Sequence, residues 1–421
     1  MTGMKRAFFA IVSCLLAALP SMAQTNGFTH APVWIVPPFV RDLNQVKQQQ
    51  FLAFNPHYLE QKTNFLRRFR PVAKQIFARE AAGADVQCAH QIYEELLWLV
   101  TSSADVKRMD DRLRDLEAVL ASSTSNRVKT VAGPECMTEW FQHLDWAYDH
   151  VKSNEPIPPE ILDRINSPEK LTAYLTPLTI SDMARTGRNN TWEYNQAMAA
   201  LIRWIVRDRP DDQAFHPRLK ATMLELVVRF QDPETGCWGQ RYVIDGKERF
   251  VPELSPTFHI VSYLKGEVPH LDRTMAVVLA TKDMDTPIGW QYKGQVYNHN
   301  YTDVIELFKW GWPHANAEQR KAIAAGIQEM LHRCLTESLQ PDGSFKHLEA
   351  DASIEQATYF GVEFLARAGF FDKSKRFWTD QDFPEAEAIR QRIIAYIKSQ
   401  TAGAGGGSWY RDALNSLKTE G

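Results

Sequence analysis

Phe230-Gln-Asp-Pro-Glu-Thr-Gly-Cys-Trp238 and Leu339-Gln-Pro-Asp-Gly-Ser-Phe345 share one order: glutamine, a turn, glycine, one residue, an aromatic. Each follows a long amphipathic pattern. Glycine can end a helix because it tolerates a left-handed backbone. The aromatic can then fold back on the next layer, and the glutamine can bond exposed groups at the helix end. Two such turns, about 110 residues apart, predict helices that return on one another in a repeating order.

Helical periodicity surrounds them. Ile323, Ile327, Met330, Leu331, Cys334 and Leu335 make one continuous helix face, entered through an Asn316/Gln319 capping box. Tyr194, Met198, Leu201 and Ile205 make a second face. Ile389, Ile393, Tyr396 and Ile397 make a third, with a cap expected in Asp382-Phe-Pro-Glu385. Further helical patterns cover 58–80, 85–101, 104–121, 135–152, 213–230, 257–265 and 353–368. Strand-like alternation is brief, at Gln240–Ile244 before the Asp245-Gly246 turn, and predicts a hairpin. The class expected is all-α. Residues 40–150 are read either as the first helical hairpins of the same body or as a separate helical subdomain.

The N-terminus carries Lys5 and Arg6, an apolar run from Ala7 to Leu19, and Ser21-Met-Ala23. That order predicts a signal peptide over 1–23, a mature chain over 24–421 and a periplasmic or secreted location. Ile11-Val-Ser-Cys14 offers a competing lipoprotein-type cleavage box. No stretch is long and apolar enough for a membrane span. A formal net charge of −3 gives no basic field for nucleic acid. Cys88, Cys136, Cys237 and Cys334 remain after cleavage, so disulfides are allowed, with Cys88–Cys136 the expected pair. No C-x-x-C or H-E-x-x-H spacing occurs, and neither metal nor cofactor is expected.

The two glutamine–aromatic turns resemble repeats of the α/α-toroid superfamily, which includes terpenoid cyclases and protein prenyltransferase β-subunits. The resemblance covers about 185–370 and implies antiparallel helix pairs in a complete or incomplete ring with a central cleft. The cyclase motif Asp-x-Asp-Asp is absent: Asp283-Met-Asp285-Thr286 lacks the last carboxylate. Asp110-Asp-Arg-Leu-Arg-Asp115 alternates in charge, as a solvated helix face does. Gly187-Arg-Asn189-Asn190 resembles the helix entry of toroid polysaccharide lyases. Many of those carry His after the Asn pair, where Thr191 stands here.

Two polar clusters precede helical patterns: Tyr297-Asn-His299-Asn-Tyr301-Thr-Asp303, and Glu253-Leu-Ser-Pro-Thr-Phe-His259 with Tyr263 beyond. For β-elimination on a uronate, Asn189 or Asn190 would hold the carboxylate. His299 or His259 would act as base and Tyr301 or Tyr263 as proton donor. For hydrolysis, Glu253 and Asp303 form the carboxylate pair to test. Trp238, Trp290 and Tyr263 are candidate ligand contacts, because aromatics stack on sugar rings. The leading expectation is an exported lyase or hydrolase of acidic glycans with its ligand in the toroid cleft. A non-catalytic glycan-binding or scaffolding toroid is the alternative, and a cyclase-like protein without the acidic motif is the third.

Overall fold

Helix-forming periodicity becomes helix almost wherever it was read. The structure is a computed structural model that describes residues 34–82, 84, 86–122, 157, 159–209, 214–351, 353–401 and 408–418. The signal-peptide expectation over 1–23, the helix over 135–152 and Cys136 lie outside the described residues.

The N-terminal helices are α1 (Leu43–Phe54), α2 (Tyr58–Ala81), α3 (Gln87–Ser102) and α4 (Val106–Ser122). They share a core that includes Phe65, Ile76, Leu96, Leu99 and Leu116. Met183, Tyr242, Val251 and Ile288, from later in the chain, complete that core. The acidic run on α4 is tied into ion pairs: Asp110 with Arg68, Asp111 with Lys107 and Arg114, Asp115 with Arg112. It is a solvated face, as its charge alternation predicted. Beneath it Arg112 pairs with Glu95, which is fully buried.

A second core belongs to the helices that follow: α5 (Pro159–Ile165), α6 (Pro168–Leu178), α7 (Thr191–Leu201), α8 (Leu219–Phe230), α9 (Leu254–Tyr263), α10 (Leu271–Ala280), α11 (Asn298–Gly311), α12 (Ala317–Arg333), α13 (Ile354–Arg367), α14 (Ala386–Thr401) and α15 (Ser408–Ser416). Alternate members pack in sequence, α7 on α9, α9 on α11, α11 on α13, and α13 on α15. The helices between them pack behind that row: α6 on α7, α10 and α12 on α11, and α14 on α15. Helix α7 runs on into a π-helix, Ile202–Asp208, where α8 packs.

The chain is mostly helical, as expected, with a few short strands. β1 (Ile180–Ser181) pairs in parallel with β2 (Gly239–Ile244), which forms the expected hairpin with β3 (Lys247–Pro252) across Asp245-Gly246. β4 (Gln291–Tyr292) and β5 (Gln295–Val296) make a smaller hairpin.

Local signals behave as their chemistry dictates. Asn316 Oδ1 accepts from Gln319 N at 2.9 Å, and Gln319 Oε1 accepts from Asn316 N at 3.0 Å, closing the capping box. In the segment where a cap was expected, the Asp382 carboxylate is 2.8 Å from Lys373 Nζ. Cys88 is disulfide-bonded, while Cys237 and Cys334 are buried free thiols.

In the first glutamine turn, Gly236 has φ +69°, and a Cβ there would lie 2.3 Å from His270 O. Gln231 Nε2 donates to Gly236 O at 2.8 Å and to Pro269 O at 2.6 Å. Gly343 holds φ +96° in the second turn, where Gln340 Nε2 donates to Ser338 O. The aromatics then close the layer. Trp238 Nε1 donates back to Val227 O at 2.8 Å, near the end of α8. Trp290 does the same to Val278 O of α10 at 3.0 Å, and Trp378 to Ala368 O just past α13 at 2.9 Å. Each indole N–H thus ties a helix end to the next layer.

Candidate functional site

The lyase-like entry sequence builds a helix start. Gly187 takes φ +65°. Asn189 Oδ1 accepts from Thr191 N at 3.2 Å and from Thr191 Oγ1 at 2.8 Å. Asn190 Nδ2 donates to Ile180 O at 2.8 Å, and Ser181 Oγ accepts from Asn190 N at 2.8 Å. Both asparagines thus take part in folding the approach to α7. Thr191, at the position where a His was of interest, sits 2.7 Å from the Tyr242 hydroxyl.

That hydroxyl leads to Glu253, the residue before α9, which is 2% exposed. Burial raises its carboxyl from the usual carboxylate range to about 7, against the opposing pull of Lys47 on α1 and of the Thr191 and Tyr242 hydroxyls. Asp303, the other half of the expected hydrolytic pair, is buried on α11. Burial also raises its carboxyl, and Arg367 opposes the shift. Their surroundings differ: Lys47 and Tyr242 for one, Arg367 for the other. Each is only 2% exposed.

Further along α9 the chain is more open. His259 Nδ1 lies 2.9 Å from the Tyr263 hydroxyl, one turn on. Both side chains are half-buried. Arg203 and Arg207 come from the π-helix that extends α7, their guanidinium carbons 5.7 and 5.0 Å from the Tyr263 ring centre. One wide turn brings the two guanidiniums, four residues apart, over one ring. π-Helical turns recur at functional sites. Asp208 accepts from both, at 3.2 Å from Arg203 Nε and 2.7 Å from Arg207 Nε.

His299, at the start of α11, faces this group. Burial, then His299, then Arg203 lower the His259 imidazole to about 3, and burial lowers His299 to about 4. Both rings are therefore neutral at pH 7. His299 stacks on Phe360 of α13 at 3.9 Å between ring centres, 8° from parallel. Tyr359 and Phe360 continue to Trp409 of α15, at 4.9 and 6.0 Å. These rings are also half-buried.

Three expected contacts lie elsewhere. Trp238 and Trp290 are 0% and 3% exposed, with their indole nitrogens spent on helix carbonyls. Tyr301 is 2% exposed and packs on Phe364 at 5.3 Å, and burial raises its hydroxyl's pKa. The periodicity that put Tyr301 next to His299 in sequence turns its ring into the core. Sequence reasoning missed Arg203, Arg207, Phe360 and Trp409. The Arg–Arg spacing of four was readable, but its alignment with Tyr263 depends on the π-turn.

Among the described residues no group of three or more His, Cys, Asp or Glu is placed to hold a metal ion. No described helix is long and apolar enough to cross a membrane. Comparison with protein-family models, curated proteins and solved structures gave no match.

Proposed function

We propose that the chain is an α/α-toroid enzyme that cleaves acidic glycans by β-elimination, with His259 and Tyr263 moving the proton. The observation that carries this reading is the His259–Tyr263 pair, 2.9 Å apart and half-buried, beneath two guanidiniums. The toroid part rests on the unbroken packing of α7, α9, α11, α13 and α15, with alternate helices behind them.

The chemistry assigns each group a task. Arg203 and Arg207 would neutralise the uronate carboxylate, which makes the C5 proton acidic, and would favour a phenolate on Tyr263. The Tyr263 oxygen would take that proton while its own passes to neutral His259. The C5–H and C4–O bonds break, C4=C5 forms, and the O4 leaving group receives a proton back through Tyr263. At pH 7 the His259 imidazole is neutral and would hold the proton only transiently, since burial disfavours the imidazolium. The hydrolytic pair carries less, because Glu253 and Asp303 are each only 2% exposed.

The test is incubation of the exported protein with polyuronates and sulfated uronans, followed by ultraviolet absorbance of the unsaturated product. Turnover lost in Tyr263→Phe and His259→Gln, with folding intact, supports the reading. Cleavage that yields only saturated ends would replace it with hydrolysis. Binding without cleavage would replace it with a glycan-binding role.

A further inference from the structure

We propose that the aromatic wall running from Tyr292 through His299 and Phe360 to Trp409 binds an uncharged sugar beside the uronate, so that the chain selects glycans in which acidic and neutral residues adjoin. The selection rests on the uronate reading above. The wall as a sugar-binding surface does not.

The wall is continuous. The Tyr292 ring, on the β4–β5 hairpin, lies 5.7 Å from Tyr297, and Tyr297 lies 5.6 Å from His299. His299 stacks on Phe360, and Phe360 meets Trp409 at 6.0 Å. The three links beside the stack are tilted by 48°, 53° and 42°, so the surface curves. Tyr297 is 8% exposed, and the other four rings are half-buried. His299, Phe360 and Trp409 come from α11, α13 and α15, which pack in sequence. Helix α9, with His259 and Tyr263, also packs on α11, and His299 lies within electrostatic reach of His259. The wall therefore adjoins the acid–base pair.

Packing alone does not account for these rings. Trp238, Trp290 and Trp378 each give their indole N–H to a carbonyl. Among the described residues Trp409 Nε1 donates to no group and His299 Nε2 has no partner, and neither atom is sealed off. A sugar ring has an apolar C–H face and a rim of hydroxyls. The face suits the rings, and the hydroxyls suit two uncharged nitrogens at the edge of an apolar surface.

Charge decides which sugar. Lys293 and Arg367 reach these rings, but both are matched. Lys293 Nζ, 5.3 Å from the Tyr292 ring centre, pairs with Glu349. Arg367, within electrostatic reach of Tyr359, pairs with Glu363 at 2.9 Å and with Glu306 at 3.5 Å. Taking a carboxylate out of water against the wall without a cation is unfavourable. Arg203 and Arg207 stand over Tyr263 of α9 and not over the wall. One carboxylate is accommodated there, and the sugar on the wall is best uncharged.

Two polymers of galacturonate separate the cases. In polygalacturonate every neighbour is charged, and in the rhamnogalacturonan backbone every neighbour is rhamnose. Wild-type kcat/KM, read from absorbance of the unsaturated product, should be about tenfold higher on rhamnogalacturonan. Trp409→Ala should lower it about tenfold on that polymer and less on polygalacturonate. Because Trp409 also packs on Tyr359, at 4.9 Å, its loss could unfold α15, so Tyr292→Ala at the hairpin end is the second variant, with the same ordering expected. Calorimetry on Tyr263→Phe, with and without Trp409→Ala, measures binding apart from turnover. Equal kcat/KM on the two polymers, or equal losses on both in the variants, would overturn the selection and leave β-elimination intact. If neither polymer is cleaved but rhamnogalacturonan binds more tightly and Trp409→Ala removes the difference, the wall stands and the lyase reading falls. Binding of neither polymer would overturn the wall.

Discussion

Two sets of aromatic side chains in this molecule look alike in sequence and behave differently in space. Trp238, Trp290 and Trp378 follow turns, are buried, and spend their indole N–H on carbonyls at the ends of preceding helices. Tyr263, His259, His299, Phe360 and Trp409 lie on successive members of one helix row and are half-buried. The first set is held by bonds to the backbone. The second is held mainly by ring contacts and carries neutral nitrogens and a phenol beside two guanidiniums. A buried indole with a satisfied N–H is a fastening. A half-buried ring beside an imidazole and an arginine is available for chemistry.

The largest expected effect would break this comparison if it failed. Trp238→Ala should destabilise the fold by about 3–5 kcal/mol, the range for deleting a large buried aromatic. It also removes one of the two donors to the Val227 carbonyl, leaving Gln231 N at 3.2 Å. Denaturant unfolding measures it. A loss below about 1 kcal/mol, together with weakened glycan retention, would move Trp238 from fastening to ligand contact.

Tyr263→Phe tests the other side. The ring contacts survive and the hydroxyl 2.9 Å from His259 is lost. Turnover should fall about a hundredfold or more, with Tm nearly unchanged. A variant that loses stability while keeping turnover would place Tyr263 with the fastenings. Arg207→Gln should act less strongly, raising KM for an anionic substrate about tenfold, worth about 1.4 kcal/mol. Its kcat should change less, and the salt dependence of KM should weaken. Equal KM on neutral and carboxylated substrates in wild type would remove Arg207 from recognition.

Much of the architecture was legible in the sequence because it depends on local chemistry. The capping box at Asn316, the Asp245-Gly246 hairpin and the glycines of both glutamine turns each act within a few residues. The site was legible in part. His259 and Tyr263 are one turn apart on one helix, so their pairing could be read from spacing. Arg203 and Arg207 could not, since a π-turn and the packing of α7 on α9 decide where they point. Asn189 and Asn190 are a different case. Their side chains bond within the helix entry, which the order of residues alone does not reveal.

A smaller effect concerns pH. His259 and His299 are lowered from 6.5 to about 3 and about 4, so the unfolded chain binds more protons than the folded one below 6.5. Their contribution to stability is present above pH 6.5 and is lost as pH falls toward 4. Glu253 pulls the other way over an overlapping window, so differences between variants report more than the wild-type curve. His299→Gln should keep more of its neutral-pH Tm on acidification than wild type does. Parallel acid limbs would mean that His299 titrates as an exposed histidine.

The smallest effect decides where the asparagine pair belongs. Asn190 Nδ2 donates to Ile180 O at 2.8 Å, and Asn190 N donates to Ser181 Oγ. Replacing the side chain with alanine removes the first bond and leaves the second. A single hydrogen bond of this kind contributes about 0.5–1.5 kcal/mol net, so Asn190→Ala should lower unfolding free energy by about 1 kcal/mol. Because the amide is turned toward β1, turnover and KM should stay at the wild-type level. If the lyase-like sequence marks a carboxylate-binding asparagine, KM should instead rise sharply with little change in stability. The two outcomes separate along independent measurements: a Tm shift with unaltered KM keeps Asn190 among the residues that build the start of α7, and the reverse would transfer it to the half-open row with Tyr263 and Arg207.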